Sequence, residues 1–518
     1  MAEQIHVTDK RAFSPIEMQT YLDLTLQAMY GATTKAEQKD GEHFYAHYQL
    51  DYRSGSDWVS VDTAAFPKGA SDEQIVAEAT RMLALMDEQT ADYKVMREKY
   101  LLDEYNTPAD KELVNTLEPQ VMLGAEIYLK TAQYGRKIAL VTNQSGVTSD
   151  LVHIADALNA KSDVEIVSVI TTGNGLRGEF QTAEDGVYTD AKTGLTVYRV
   201  AENGISAEAL ANAQDIVFDM QDTGSRYNGT VKLMAQCIEA AKGAGISFTV
   251  LDRPNPIGAT AVEGPVDDTY GIATRHGMTN GELAFYLGKK LGYEDGVGVV
   301  KMFGYTRDMD FADTGLQFVQ TQREIGTAAA LYPYAALGWL EGIPSFSYGW
   351  GTTKTYEFFG APYMKDDMVA FAEALNELEL PGVLFRLAAM TPWNNTTQLA
   401  AIRYPNNACY GVQMHVNDPD SFNAVDTILG ILYTMKEFFP DNFSLSERFN
   451  QITGSNLIAD GINNDRSLPE LMDSYKDALA EFQTARQDCL IYGDEAESYV
   501  DFLIDTMSLR DKVTQILG

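Results

Sequence analysis

Four short apolar segments, each ending in polar residues with glycine or proline, constrain the fold of this chain more than any other feature. They cover residues 137–146, 164–178, 215–227 and 247–256. Near-continuous runs of Val, Ile, Leu and Phe of this length are typical of strands buried on both faces. Helical patterns separate the segments, and this alternation predicts an α/β fold with a parallel sheet. Ligands of such sheets bind outside the carboxyl ends of the strands, so we expect the functional residues in the polar clusters.

The length of 518 residues exceeds that of one ordinary core and predicts two to four domains. We predict an N-terminal module over residues 1–117, a parallel-sheet domain over 118–300 and a smaller C-terminal domain over 301–518. The module has capping-box sequences that begin helical patterns at Ser14 and Ser71, with an alternating pattern between them that indicates a β-hairpin. It is therefore predicted to be a small α+β unit.

The C-terminal domain has a less regular pattern. Helical periodicity covers residues 366–378, 421–439 and 468–487, and a strand is predicted over 411–416. This mixture predicts a second α/β or α+β domain packed against the first.

Composition excludes several classes of partner. The net charge of −35 argues against nucleic acid and anionic membrane surfaces, which both require basic patches. No apolar run is long enough to cross a bilayer, so membrane insertion is not expected. The first residues lack an apolar signal core, which predicts a cytoplasmic protein as the sequence stands, or an exported one if a signal peptide was trimmed. The three cysteines and six histidines lack disulfide or metal-ligand spacing, so no metal is expected.

Residues 173–178 formally match the glycine-rich GxGxxG motif of dinucleotide-binding proteins. That interpretation requires a helix to begin at once, so that its N-terminus can hold the pyrophosphate. The sequence that follows, residues 179–186, is too short and polar to form that helix. We therefore expect no cofactor.

Carboxylates at the predicted strand ends are better candidates for chemistry. Asp219, Asp222 and Asp252, with Glu263 nearby, would meet at one edge of the sheet and act as general acid, general base or acceptors from sugar hydroxyls. Asp222 and Asp252 are the predicted catalytic residues. The alternative is that these acids cap helices or turns, or pair with neighbouring arginines.

Arginines also collect in the motifs marked by glycine and proline. Between residues 170 and 310 these are Arg177, Arg226, Arg253, Arg275 and Arg307. In so acidic a chain they suggest a bound anion, most simply a carboxylate held bidentately. Internal ion pairing with the neighbouring aspartates is an equally open alternative.

The segment 275–282 has two predicted functions. Thr279 and Glu282 form a capping box before an apolar helical pattern, so their predicted role is structural. Arg275 and His276 precede that helix and are freer to face a ligand.

Together these motifs resemble the exo-β-N-acetylmuramidase family. The resemblance covers about residues 118–495 and leaves the first 117 outside. The matching segments are 142–146, 218–222 with Gly224 and Arg226, 251–256, 262–265, 275–279, 304–309, 351–352, 360–362, 411–416 and 449–454.

The resemblance implies a Rossmann-like domain and a second, smaller domain with the active site between them. It also implies removal of terminal N-acetylmuramic acid from peptidoglycan fragments. The lactyl carboxylate of that sugar is an anion of the kind that the arginine cluster suggests, and Arg177 and Arg253 are the candidates to hold it. The expected substrate-binding residues are Asn143, Gln144, Arg177, Asp219, Gln221, Arg226, Arg253, Asn255, Glu263, Arg275, His276, Tyr348 and Trp350.

Two family motifs are altered in this chain. The family segment Ser-Pro-Glu-His-Gly-x-Arg-Gly carries the expected catalytic acid, but glycine stands at the glutamate position here (Gly173) and asparagine at the histidine position (Asn174). The segment Ser-Glu-Gly-Arg-Gly-Thr has become aromatic at both charged positions, Tyr348 and Trp350. A glycine cannot transfer a proton, and loss of general acid catalysis typically costs about two to four orders of magnitude in rate.

Three hypotheses follow from these departures. The first is a family member with a degenerate site that binds a sugar or peptidoglycan fragment, helped by stacking on Tyr348 and Trp350. The second is an active exo-acting glycoside hydrolase in which Glu179, Asp222 or Asp252 has taken over. The third is a structural or interaction protein with a vestigial pocket, which binds a protein partner or self-associates through residues 1–117.

Overall fold

The computed structural model describes residues 33–38, 43–51, 58–67, 121–131, 135–173, 175–179, 186–200, 204–393 and 402–493. By backbone contacts the chain divides into two compact units, Met1–Asn115 and Thr116–Gly518.

The first unit contains a three-stranded antiparallel sheet. Its strands are β1 (Thr33–Gln38), β2 (His43–Asp51) and β3 (Trp58–Pro67), paired in the order β1-β2-β3. Pairing of β2 with β3 confirms the predicted hairpin, while β1 was not anticipated from the sequence. The helices predicted to begin at Ser14 and Ser71 lie outside the described residues.

The second unit is built on a seven-stranded sheet and a two-stranded ribbon. The sheet contains β4 (Arg136–Thr142), β5 (Val164–Thr171), β6 (Gly186–Thr189), β7 (Thr196–Arg199), β8 (Asp215–Asp219), β9 (Ser247–Leu251) and β12 (Val297–Val300), and the ribbon contains β10 (Glu263–Val266) and β11 (Ala273–Arg275). The order in the sheet is β12-β9-β8-β4-β5-β7-β6. All its neighbouring pairs are parallel except β6 with β7. The four apolar segments form β4, β5, β8 and β9, which confirms the predicted parallel α/β sheet.

Side chains of the central strands alternate between two apolar layers. On β4, Ile138 and Leu140 pack in one cluster while Ala139 and Val141 pack in another, because successive strand side chains point to opposite faces. All four are fully buried. This burial on both faces explains why the strand is a continuous apolar run rather than an alternating one.

Four helices cover the two faces of this sheet: α1 (Gly124–Lys130), α2 (Ile154–Asn159), α3 (Thr230–Ala244) and α4 (Asn280–Leu291). The predicted capping box of Thr279 and Glu282 begins α4. Ser149 precedes the apolar helical pattern of residues 151–158, so the sequence predicts it as the cap of this helix, which is wrong. His153 is the N-cap instead, and Leu151 has a φ of 61°, which is incompatible with a helix at that point.

The C-terminal part of this unit has a small antiparallel sheet surrounded by helices. Its elements are α5 (Leu331–Leu337), β13 (Phe358–Ala361), α6 (Met368–Glu377), β14 (Val383–Met390), β15 (Cys409–Val416), α7 (Ala424–Phe438), α8 (Glu447–Thr453), α9 (Leu457–Asn463), α10 (Leu468–Asp473) and α11 (Lys476–Ala485). The sheet order is β13-β15-β14. The single helix predicted over 468–487 is two helices, since the chain leaves helical geometry at Ser474 and Tyr475.

The three cysteines, whose spacing along the chain indicated no disulfide, are buried free thiols. Within the described ranges, no helix has both the length and the apolarity that a membrane span requires.

Candidate active site

The order of the large sheet creates a crevice between β4 and β8. From β4 the chain proceeds to β5 and β7 on one side, and it returns to β8, β9 and β12 on the other. The loops leaving the carboxyl ends of β4 and β8 therefore run in opposite directions, which opens the crevice where doubly wound sheets bind ligands.

A cavity of about 380 Å³ occupies this position. We call it the switch-point cavity. Strand ends, the start of α3 and one later loop line it: Asn143, Thr172, Gly173, Val200, Met220, Gln221, Asn228, Gly229, Thr230, Lys232, Leu233, Gln236, Thr321, Gln322 and Glu324. Cavities of this size accept small-molecule ligands.

Two of the predicted binding residues present polar atoms to this cavity. Asn143 is 5% exposed, and its Oδ1 accepts hydrogen bonds from the backbone N–H and the hydroxyl of Ser145 at 2.9 and 2.6 Å. Gln221 is 6% exposed, and its Nε2 donates to the carbonyls of Asp222 and Pro254. Asn143 Nδ2 and Gln221 Oε1 make no hydrogen bond with any residue that the structure describes. The Asn143 Nδ2 donor and the Gln221 Oε1 acceptor thus remain for a ligand. Each side chain is fixed in place by the hydrogen bonds of its other amide atom.

A second cavity of about 390 Å³ adjoins the first. Trp350 lines it, and Glu324 lines both cavities. The guanidinium of Arg323 lies 5.6 Å from the centre of the Trp350 ring and donates to Glu324 at 2.9 Å. Tyr348 does not line either cavity. It is 5% exposed and stacks on Tyr356 at 5.3 Å, so the structure favours a packing role over stacking on a sugar.

Arg253 and Asp219 form a buried ion pair at the ends of β9 and β8. Arg253 donates from Nε and a terminal nitrogen to the two carboxylate oxygens at 2.5 and 3.0 Å, and both side chains are almost fully buried. Arg253 also lines a crevice of about 20 Å³, which has room for a water molecule but not for a sugar. The bidentate partner of Arg253 is therefore internal.

Arg177 is also paired internally. It donates to Asp190 at 2.8 and 2.9 Å and to Asp156 at 2.6 and 3.0 Å. These bonds hold the pKa of both carboxyls below their usual range. For Arg177 and Arg253 the structure favours the ion-pairing alternative over a ligand carboxylate.

Asp222 lies behind the cavity wall. It is 3% exposed, and its carboxylate accepts from the Gly224 N–H, Asn228 Nδ2 and His276 Nε2 at 2.8, 2.9 and 3.1 Å. Burial pushes the pKa of Asp222 up, but the His276 contact and the backbone N–H groups outweigh burial and lower it. Asp222 and His276 therefore hold Asn228 in place, and the structure favours this structural role over the predicted catalytic one.

Asp252 is fully buried between β9, α4 and the end of the described chain. It accepts from the N–H groups of Arg253 and Gly281 and from the hydroxyls of Thr279 and Tyr492, at 2.7 to 2.9 Å. Burial raises the pKa of Asp252 to about 7, a value suited to proton transfer. It lines none of the cavities described above, however, and every donor around it belongs to the scaffold. A catalytic role for Asp252 thus finds no support in the geometry.

Glu263 and Arg275, two more of the predicted binding residues, connect the part of the chain before residue 330 with the part after it. Glu263 pairs with Arg275 at 2.7 Å, and its other oxygen accepts from the N–H groups of Ala424 and Val425 at the start of α7. A carboxylate is favourable there because the helix N-terminus is positively polarised.

The other predicted binding residues have backbone partners. Arg226 donates to the carbonyls of Ile452 and Thr453. Asn255 donates to the Met278 carbonyl. Gln144 donates to the carbonyls of Gln320 and Thr321, and so anchors the loop that carries Glu324. Asn174 lies outside the described residues.

Sequence reasoning missed several residues of the cavity wall, above all Asn228, Lys232 and Glu324. Asn228 and Lys232 flank the start of α3, and the position of α3 after the third apolar strand was a usable signal. Glu324 lies in a stretch without periodicity, so no local pattern marked it. Among the described residues, no cluster of His, Cys, Asp and Glu is arranged to hold a metal.

Two family models match the chain in sequence. The N-terminal part of Exo-beta-N-acetylmuramidase NamZ matches residues 138–329, and the C-terminal part matches residues 332–492. The chain belongs to the exo-β-N-acetylmuramidase family. The family expected from the sequence motifs is thereby confirmed.

Similar proteins agree with this membership. Peptidoglycan beta-N-acetylmuramidase NamZ from Bacillus subtilis (strain 168) is 36% identical over 391 residues, covering 72% of this chain and 92% of that protein. A crystal structure of a DUF1343 family protein (BF0371) from Bacteroides fragilis NCTC 9343 has a TM-score of 0.65 at 27% identity, covering 72% of this chain and 99% of that one. A second Bacteroides fragilis DUF1343 protein (BF0379), 22% identical with a TM-score of 0.55 and the same coverage, shares the fold.

Part of the family motif that is altered in this chain lines the switch-point cavity. Gly173, at the position of the expected family acid, is part of its wall. Among the described lining residues Glu324 is the one carboxylate and Lys232 the one cation. The family scaffold is thus retained around a cavity whose charged groups differ from the family motif.

Proposed function

We propose that this chain binds the terminal sugar of a peptidoglycan fragment in the switch-point cavity and lacks the proton donor of its family. The observation that carries the proposal is the cavity wall itself. It presents the free amide atoms of Asn143 and Gln221 where a sugar would lie, and Gly173 where the family is expected to carry glutamate. Neutral donors and acceptors suit hydroxyl and acetamido groups, and the family membership supports a peptidoglycan fragment as the ligand.

Binding is tested by calorimetric titration of N-acetylmuramic acid and N-acetylglucosamine. Asn143→Asp keeps the oxygen that accepts from Ser145 but removes the Nδ2 donors, so affinity should fall about tenfold for loss of one well-placed hydrogen bond. Asn463→Asp, an equal change at an exposed position of α9, is the matched control and should bind like the parent. Absence of binding by the parent at millimolar sugar would refute the proposal.

The missing proton donor is tested through the leaving group. Without a general acid, departure of a sugar alkoxide is slow, whereas an acidic phenol leaves without protonation. We expect no turnover of a muramic acid disaccharide and at most slow turnover of a chromogenic aryl β-N-acetylmuramide. The double variant Gly173→Glu, Asn174→His should then gain activity on both substrates. Efficient cleavage of the disaccharide by the parent would show that another group donates the proton.

Glu324 favours a second candidate function, an exo-acting hydrolase with a substitute carboxylate. Its side chain is 16% exposed and lines both cavities, unlike Asp222 and Asp252. If Glu324 takes part in catalysis, Glu324→Gln should lower disaccharide cleavage by about two orders of magnitude or more while sugar binding is kept. Unchanged turnover in that variant would exclude this function.

A further inference from the structure

None of the described residues that line the switch-point cavity is an arginine, although arginine was the expected anion ligand. Each of the five arginines from the sequence motifs is instead engaged by the scaffold. Arg177, Arg253, Arg275 and Arg307 form ion pairs with acids at 3.0 Å or less, and Arg226 donates to two backbone carbonyls. Recognition of an anionic group in this cavity would therefore depend on another cation.

Lys232 is the cation among the described lining residues. Its side chain is exposed and forms no ion pair with a described residue. It is the third residue of α3, a helix of 15 residues that begins at Thr230, and Gly229 and Thr230 line the cavity beside it. The N-cap residue, Gly229, has no side chain to cap this end, and Asn228 Oδ1 accepts from the Thr230 N–H at 2.8 Å. First-turn N–H groups lack intrahelical acceptors, and the helix dipole adds positive potential where the lysine stands.

Asn143 contributes independently to the same region. Its side chain is more than nine-tenths buried, lines the cavity and leaves Nδ2 without a partner among the described residues. A carboxylate bound between Lys232 and this amide would accept a charge-assisted and a neutral hydrogen bond. Glu324, the acidic lining residue, would repel a carboxylate placed near it, so the ligand has a preferred orientation.

We propose that Lys232, at the N-terminus of α3, binds the carboxylate of an acidic amino sugar and distinguishes it from the neutral counterpart. The inference rests on the proposed function, because it assumes that the cavity binds a sugar. It replaces the expectation that Arg177 and Arg253 hold the lactyl carboxylate of N-acetylmuramic acid. Lys232 acts here as a specificity residue, with no part in proton transfer.

The experiment compares dissociation constants for N-acetylmuramic acid, its methyl ester and N-acetylglucosamine. The parent should prefer the free acid over the ester and over N-acetylglucosamine. In Lys232→Gln we expect affinity for the acid to fall about tenfold, the loss typical of one charge-assisted hydrogen bond, with little change for the neutral ligands. Lys232→Arg keeps the charge and should keep the preference. Raising the salt concentration should weaken binding of the acid alone, since this contact is exposed to screening.

Lys242→Gln, the same change at the far end of α3, is the matched control and should behave as the parent. Equal affinity of the parent for acid and ester, or an unchanged preference in Lys232→Gln, would overturn the assignment of Lys232 and leave sugar binding intact. Failure of the parent to bind any of the three sugars would overturn both this inference and the proposed function.

Discussion

Arg253 and Asp219 form a pair whose two side chains are too buried to be separated without cost. Asp219 is fully buried and Arg253 is 4% exposed, and two hydrogen bonds join them. Removing one partner leaves an uncompensated charge in a medium that solvates it poorly. Arg253 is therefore better placed to stabilise the fold than to select a ligand.

Arg253→Ala should lower the free energy of unfolding by about 3–5 kcal/mol, the cost of breaking a buried pair. Urea denaturation of the parent and the variant measures this change. Lys289→Ala breaks the exposed pair with Asp488 and serves as the control, with stability close to that of the parent. If the Arg253→Ala protein were as stable as the parent but had lost its preference for N-acetylmuramic acid, Arg253 would be a ligand-binding residue and not a structural one.

The neutral imidazole of His153 connects Asn143, a residue of the cavity wall, with the start of α2. Its Nδ1 accepts from the Ala155 N–H, so Nε2 carries the proton and donates to the Asn143 carbonyl at 2.9 Å. Burial lowers the pKa of this imidazole, opposed by the bond to Asn143. A second proton, on Nδ1, would point at the Ala155 N–H. Nδ1 could then no longer accept the hydrogen bond from that N–H, and the helix would lose its cap.

The stability of the protein should consequently fall as the pH drops below 6.5. In that range the unfolded chain takes up a proton at residue 153 that the folded protein does not, which costs up to about 1.4 kcal/mol per pH unit. His153→Asn keeps a capping side chain and cannot titrate, so its stability relative to the parent should rise between pH 6.5 and 5 and stay constant above pH 7. His415→Asn, at an exposed position on β15, is the control for the general effect of losing a histidine. Parallel stability curves for the parent and His153→Asn would contradict this account.

At the scale of elements, the turn between β8 and α3 determines the shape of the cavity. Asp222 and Asn228 are bonded across it, and Gly224 between them has a φ of 80°. A Cβ on Gly224 would lie 2.4 Å from Ile257 Cγ1 and 2.6 Å from Asn255 Oδ1. Only glycine allows both the left-handed backbone and this close approach.

Gly224→Ala should therefore destabilise the protein by two separable effects. The left-handed backbone costs about 1–2 kcal/mol and the crowding against Ile257 adds about 1–3 kcal/mol. Gly245→Ala, at the end of α3, isolates the first effect, because its φ is 67° and no atom lies within 4 Å of the added Cβ. Thermal or urea unfolding should thus show a clearly larger loss for Gly224→Ala. Equal losses for the two variants would mean that the turn relaxes without cost.

The elements also show which sequence signals were sufficient. Continuous apolar runs predicted β4, β5, β8 and β9, because burial on both faces leaves a strong local pattern. The capping box at Thr279 and Glu282 predicted the start of α4, since all its partners lie within four residues. The helix expected from Ser149 failed because that hydroxyl bonds to Glu126 on α1, a partner 23 residues away.

At the scale of the whole molecule, the candidate site depends on contacts that no local pattern encodes. Asn143 and Gln221 were predicted from family motifs that follow strands, and strand ends of a parallel sheet meet at one edge. The sequence left open whether its arginines bind a ligand or an internal acid, and the partners of Arg177 are 13 and 21 residues away. Glu324 reaches the cavity through a loop held by Gln144, a contact over 176 residues. Such residues become recognisable only when the fold brings them together.

The glycine at position 173 also makes the chemistry of this cavity adjustable from solution. Where a carboxylate side chain is missing from a cavity wall, a small free acid can occupy its volume. Acetic acid at mildly acidic pH should then produce turnover of the muramic acid disaccharide by the parent in proportion to the concentration of its protonated form, and chloride at equal ionic strength should have no such effect. The Gly173→Glu, Asn174→His variant should not respond, because its own side chain fills the space. Chemical rescue of this kind would show that an acid dissolved in the buffer can do the work of the side chain that is absent at position 173.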